Sequence, residues 1–240
     1  KEPEKRISMQ EELLDLQALD TGKYKGLVIQ DPTNKQAVSG FIYLALAVGS
    51  ELDPPTPRAI PQLARAINDY TSIDAKVDLR LPLDSRDLLK APFVYITEAK
   101  GFSLTEYEAR NLATYLRSGG FVFAENSTPQ MEYGPAESSL RKMFSDVLGK
   151  EARFQVIPDD HLVYSCFFEF DNGPPTGGEI RGGKFAAPAP YLEGIYLDGR
   201  LAVVYSDKGY GLIWEQDFNN EAQLKMGVNL VVYALTQTGS

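Results

Sequence analysis

Cysteine and histidine are almost missing from this chain: Cys166 and His161 are single occurrences among 240 residues. One cysteine excludes an internal disulfide and a multi-cysteine metal site, and leaves the compartment unreadable from cysteine usage. A histidine-containing metal site would need His161 to meet Glu98, Glu125, Asp159 or Asp160 in space, and the sequence itself calls for neither a metal nor a cofactor. Basic residues are in deficit, 24 Lys and Arg against 33 Asp and Glu, for a formal net charge of -9. An acidic surface repels nucleic-acid backbones and anionic membranes, which removes both as partners. No run of about eighteen apolar residues occurs, so no segment is expected to span a bilayer. Repeats, heptads and low-complexity tracts are absent as well.

What the chain does contain is 43% apolar residues, enough to bury a substantial core. The reading is a lead over residues 1–36, with a leucine-patterned helix through Leu13, Leu14, Leu16 and Leu19, then one domain over 37–240. The chain starts at Lys1 rather than Met. An extracytoplasmic location after loss of a signal or anchor segment is the expectation, with the cytoplasm as the alternative.

The organising stretch is Ala91–Ser127. Phe93 to Thr97 is a short apolar, β-branched run, as in a buried parallel strand. Ser103, with Glu106 three residues on, offers a capping box. Leu104, Tyr107, Leu112, Tyr115 and Leu116 then fall at helical spacing, and Gly119-Gly120 end the helix. Phe121 to Ala124 is the next strand. If the two strands are parallel neighbours, Glu98 and Glu125-Asn126-Ser127 share one carboxyl rim, where open α/β sheets place their sites.

Around that stretch, Phe41 to Val48 reads as a strand, Ile60 to Tyr70 as an amphipathic helix, and Val77-Leu79-Leu81 as a half-exposed or edge strand. A helix follows over about Ala136–Leu148, then short strands at Arg153–Ile157 and Phe167–Phe170. Gly173 to Pro190 is a long glycine- and proline-rich loop of the kind that covers functional sites. Asp198-Gly199 between Tyr191–Leu197 and Leu201–Tyr205 signals a hairpin, and a helix from Glu221 to about Gln237 closes the chain.

Several of these stretches resemble a bacterial family of domains of unknown function, family 4159: PFVYIT and YLRSGGFVFAE, RKMF at Arg141–Phe144, DDHLVYSCFFEFD at Asp159–Asp171, LEGIYLDGRLAVVYSDKGYG at Leu192–Gly211, and GVNLVVYALTQ at Gly227–Gln237. The resemblance covers roughly Phe41–Gln237. It implies a three-layer α/β fold like that of flavodoxin, class I glutamine amidotransferases and trehalose-utilisation proteins: a mostly parallel sheet, helices on both faces, and an added β-hairpin. It implies no activity. Glutaminase chemistry needs a cysteine on a tight strand-to-helix turn with a histidine base; here that turn holds Glu125-Asn126-Ser127, and Cys166 sits in apolar surroundings as an inert thiol.

Two function classes follow. The first is a non-catalytic module that binds a small polar ligand or a protein partner at a rim containing Glu98, Asn126, Asp160, Asp207 and Tyr210. The second is a hydrolase-like enzyme acting on a carbohydrate or other polar metabolite, with Glu125 or His161 as base. Each candidate has a plainer reading. Glu98 and Glu125 either share a proton or cap helices and pair with cations; His161 is a base or satisfies loop carbonyls; the Lys208–Tyr210 turn binds an anion or only turns the chain. The stretch Gly178–Lys184 (GEIRGGK) fits part of a phosphate-binding loop but is followed by Phe185 and a proline-rich run, which cannot start the required helix.

Overall fold

The computed structural model describes residues 26–179 and 189–236. The leucine pattern at 13–19 and the middle of the glycine- and proline-rich loop lie outside them.

In β4 (Phe93–Glu98) every residue is buried, and alternate residues enter different cores. Phe93 and Tyr95 join a cluster with α1 (Ala59–Tyr70), α4 (Tyr210–Trp214) and α5 (Glu221–Thr236). Val94 and Ile96 join a second cluster with α2 (Glu106–Arg117) and α3 (Pro135–Leu148). Burial on both faces is why these strands read as continuous apolar runs, and it gives a helix–sheet–helix sandwich.

Five strands run parallel: β3 (Ser72–Pro82), β2 (Asn34–Val48), β4, β5 (Val122–Asn126) and β8 (Arg200–Ser206), in that spatial order. The 15-residue β2 pairs with β3 on one edge. Its other edge is shared, with β1 (Gly26–Asp31) antiparallel along the first half and β4 beside Leu44–Leu46. Beyond β8 the sheet ends in β7 (Glu193–Leu197), joined to β8 through Asp198-Gly199, and the two-residue β6 (Gln155–Val156), both antiparallel to their neighbours. The last turn of α5 returns to the start of β1, so Leu235 and Gly26 wall one groove. Among the described residues no helix is long and apolar enough to cross a membrane.

Three local expectations change. The capping box is built by Thr105 and Glu108, not Ser103 and Glu106. Ser103 instead donates to Glu51 (2.8 Å), and Glu108 reaches past the cap to the Ser50 amide (2.6 Å). The expected strand at Arg153–Ile157 shrinks to Gln155–Val156. Phe167–Phe170 forms no strand, because the buried Asn229 side chain of α5 takes both the N–H (2.8 Å) and the carbonyl (2.9 Å) of Phe168. Those are the groups a ladder would have used.

Candidate functional site

The parallel pairing of β4 and β5 brings the expected rim together: Thr97 is the register partner of Glu125, and Glu98 that of Asn126. Side chains alternate along a strand, so Glu125 faces the α1–α4–α5 layer and Glu98 faces the α2–α3 layer. The two carboxyls therefore do not share a proton. Glu98 accepts from the amides of Asp53 (2.9 Å), Ala99 (2.7 Å) and Lys100 (3.1 Å), which ties the loop after β2 to the end of β4.

Glu125 is completely buried. Its Oε1 accepts from the Ser206 hydroxyl (2.9 Å) and the Tyr210 amide (2.7 Å), and its Oε2 from the Tyr95 hydroxyl (2.8 Å) and the Gly211 amide (2.7 Å). Burial pushes the carboxyl up to about 7, against the lowering effect of those donors. The turn Ser206–Gly211 does close on a carboxyl, and that carboxyl is the protein's own Glu125. Gly209, at φ 64°, makes the sharp approach of these amides possible.

On the opposite face, Asn126 Nδ2 donates to Asp207 (3.2 Å), which also accepts from the Tyr205 hydroxyl. Arg141 lies 3.6 Å from Asp207, pairs with Glu137 and Glu193, and sits between the rings of Phe154 and Tyr205. Lys208 was expected only as part of a glycine turn. It is a buried ammonium that donates to the Glu179 carboxylate and the Ala189 carbonyl. A lysine just after the apolar run of β8, with Glu179 the one acid in the sequence of the Gly173–Pro190 loop, was the signal for this pair. Tyr210, fully buried, donates its hydroxyl to the Pro175 carbonyl. A small polar cavity beside Asp207, walled by Glu179, Tyr191, Glu193, Tyr205 and Lys208, holds about 10 Å³, which is room for about one water molecule.

His161 lies elsewhere. It opens the short 3-10 turn Leu162–Tyr164 and accepts from the Val163 amide at Nδ1 (3.2 Å). Its ring packs against Tyr196 and Tyr233 at centroid distances of 6.2 and 5.3 Å. Tyr196 pairs with Leu201 at the start of β8, whereas Glu125 pairs with Ser206 at its end. Five residues of strand, about 16 Å, separate the two levels. Burial lowers the histidine's affinity for a proton, and the neighbouring Asp160, itself exposed, opposes that. Among the described residues no three His, Cys, Asp or Glu side chains gather to hold a metal ion.

A model of a family described as a domain of unknown function, DUF4159, matches residues 40–235. The chain belongs to that family. No curated protein matches it. In this DUF4159 chain Glu125 and Asn126 end β5 and Ser127 follows it, and Cys166 is buried under α5 with its thiol on the Asn229 carbonyl (3.3 Å). Burial drives that thiol up to about 12, and a thiol this protonated is a poor nucleophile. The native protein is accordingly expected to resist iodoacetamide at pH 8, with Cys166 labelled only after denaturation. Stoichiometric labelling of the folded chain, read by intact mass, would contradict this placement.

An open concavity lies between the first turns of α5 and the Phe168–Phe170 segment. It holds about 540 Å³ and is lined by Phe168, Phe170, Asn219, Glu221, Gln223 and Lys225, among others. Lys225 lies over the rings of Phe168 and Tyr70 and pairs with Glu221. Sequence reading missed this groove, because its residues come from two segments about fifty positions apart and neither carries a motif.

Proposed function

We propose that this DUF4159 protein is a non-catalytic module that binds a small polar ligand or a partner on a flavodoxin-like, amidotransferase-like scaffold without the Cys-His-Glu triad. The order β3-β2-β4-β5-β8 supports the scaffold: counted along the parallel strands it is 2-1-3-4-5, the order of flavodoxin-like sheets. Fold alone assigns no function. The observation that carries the reading is the state of Glu125, whose two oxygens already accept four protein donors. A general base must reach its substrate within hydrogen-bond distance, and this carboxyl is spent on holding a turn. The hydrolase alternative, with Glu125 or His161 as base, gains no acid–base pair from them, because they lie beside opposite ends of β8.

The groove beside Phe168 is the place for the ligand in this proposal. Two aromatic walls suit an apolar face, while Asn219, Gln223 and Lys225 supply polar contacts, the combination found in small-molecule sites. A ligand that prefers the native state raises the melting temperature by mass action. In a thermal-shift screen of sugars, nucleotides and divalent ions, a binder is expected to stabilise the wild type and to lose most of that shift in Phe168→Ala and Lys225→Ala. A binder whose shift survives both substitutions and disappears in Asp207→Asn would move the site to the rim and overturn the groove assignment. Turnover of any ligand found would overturn the non-catalytic reading.

A further inference from the structure

The six-residue turn Ser206–Gly211 is fastened on two sides. On the inner side Glu125 accepts from the Ser206 hydroxyl and from the amides of Tyr210 and Gly211. On the outer side the same turn holds a strap made of residues 173–179 and 189–192. The Tyr210 hydroxyl donates to the Pro175 carbonyl, and the Gly178 amide donates to the Lys208 carbonyl at 2.8 Å. The Lys208 ammonium bridges the Glu179 carboxylate and the Ala189 carbonyl. The ties at Pro175, Gly178, Glu179 and Ala189 all pass through these six residues, whose inner anchor is one buried carboxyl, while Thr176 is held separately by Gln223 (2.8 Å) and Leu192 by Tyr164 and Ile157.

The groups facing that carboxyl are Tyr95 from β4, Ser206 from β8, and Tyr210 and Gly211 from α4. Thr56, from the loop after β2, completes the ring beside Gly211 with its buried hydroxyl. Tyr95 and Tyr210 are the titratable members, and none of the five is a cation. The Lys208 and Glu179 charges belong to the outer side of the turn, where they pair with each other. A carboxylate buried without a counter-cation is costly, and the cost is relieved when water reaches it; the neutral acid gains far less from water.

We infer that Glu125 is a proton-controlled anchor: ionising it loosens the Ser206–Gly211 turn and, through that turn, the strap's ties at Pro175, Gly178, Glu179 and Ala189. The sign follows from linkage. Burial raises the carboxyl in the closed form to about 7 from its ordinary 4.5, while the lifted, hydrated form keeps the ordinary value. The closed form therefore binds the proton more tightly. Its advantage is full below the ordinary value, declines as pH rises towards 7, and is constant above that.

Amide hydrogen exchange at Gly178, Tyr210 and Gly211, corrected for intrinsic rates, tests this between pH 5 and 8. The opening constant of the wild type is expected to rise by about tenfold or more from pH 5 to 7 and then level off. Glu125→Gln, neutral and of the same shape, is expected to give a flat profile. Tyr210→Phe, which cuts one outer tie and leaves Glu125 in place, is expected to exchange faster at Gly178 while keeping the wild-type pH slope. A flat wild-type profile, an unchanged slope in Glu125→Gln, or loss of the slope in Tyr210→Phe would overturn the inference. Should Glu125→Gln not fold, carbon NMR of the Glu125 carboxyl decides: a midpoint near 7 supports the anchor, and one below about 5 rules it out.

Discussion

Substituting Lys208→Met is expected to destabilise the protein by about 3–5 kcal/mol, because it strips a buried carboxylate of its cation. Both side chains of the Lys208–Glu179 pair are essentially inaccessible. Among the described residues Glu179 keeps one donor, the Gly177 amide at 2.8 Å, which is too little to hold an ionised group in place of an ammonium. Neutralising the orphan should reverse the loss, so the double variant Lys208→Met with Glu179→Gln is expected to recover more than half of the single variant's cost. Urea denaturation of the two single variants, the double and the wild type measures this as a cycle. A Lys208→Met variant within about 1 kcal/mol of the wild type would mean that the pair is not what holds the strap.

The second large effect is at Gly211. A Cβ there would lie 2.3 Å from the Tyr95 hydroxyl, 3.1 Å from Thr56 Oγ1 and 3.3 Å from Glu125 Oε2. Gly211→Ala is therefore expected to cost about 1–3 kcal/mol as an overpacked site, although alanine suits a helix better than glycine. The collision is with one atom, and Tyr95→Phe removes that atom. Tyr95→Phe by itself forfeits one of the four hydrogen bonds to Glu125, at about 1 kcal/mol. The double variant should cost less than the sum of the singles by about 1 kcal/mol. Strict additivity in denaturant melts would show that the hydroxyl is not what excludes a side chain at 211.

Much of the fold can be read from short-range pattern. Phe93–Thr97 and Phe121–Ala124 are continuous apolar runs because each strand feeds two cores, and Gly119 takes φ 100° where α2 must stop. The capping box was ambiguous by nature: Ser103 and Thr105 each have a glutamate three residues on, and what selects Thr105 is Glu108 reaching Ser50 across the fold. The rim acids show the same limit. That Glu98 and Glu125 stand at strand ends is visible in the sequence, but their partners Asp53, Tyr210 and Gly211 are 45, 85 and 86 positions away. Which of two acids faces which layer turns on a single step of strand alternation, and no composition rule reports it. The loss of the Phe167–Phe170 strand to Asn229 is a further long-range effect, one polar side chain on α5 outcompeting a ladder for the same backbone groups.

Gly26 and Leu235 meet beside the beginnings of β4 and β5, in a groove shared with Pro92 and Gly120. Gly26 and Leu235 thus occupy one pole of the sheet, and Glu125, Asp207 and Lys208 the other. The length of the parallel strands therefore separates a change at Pro92 or Leu235 from the residues at the strands' carboxyl ends.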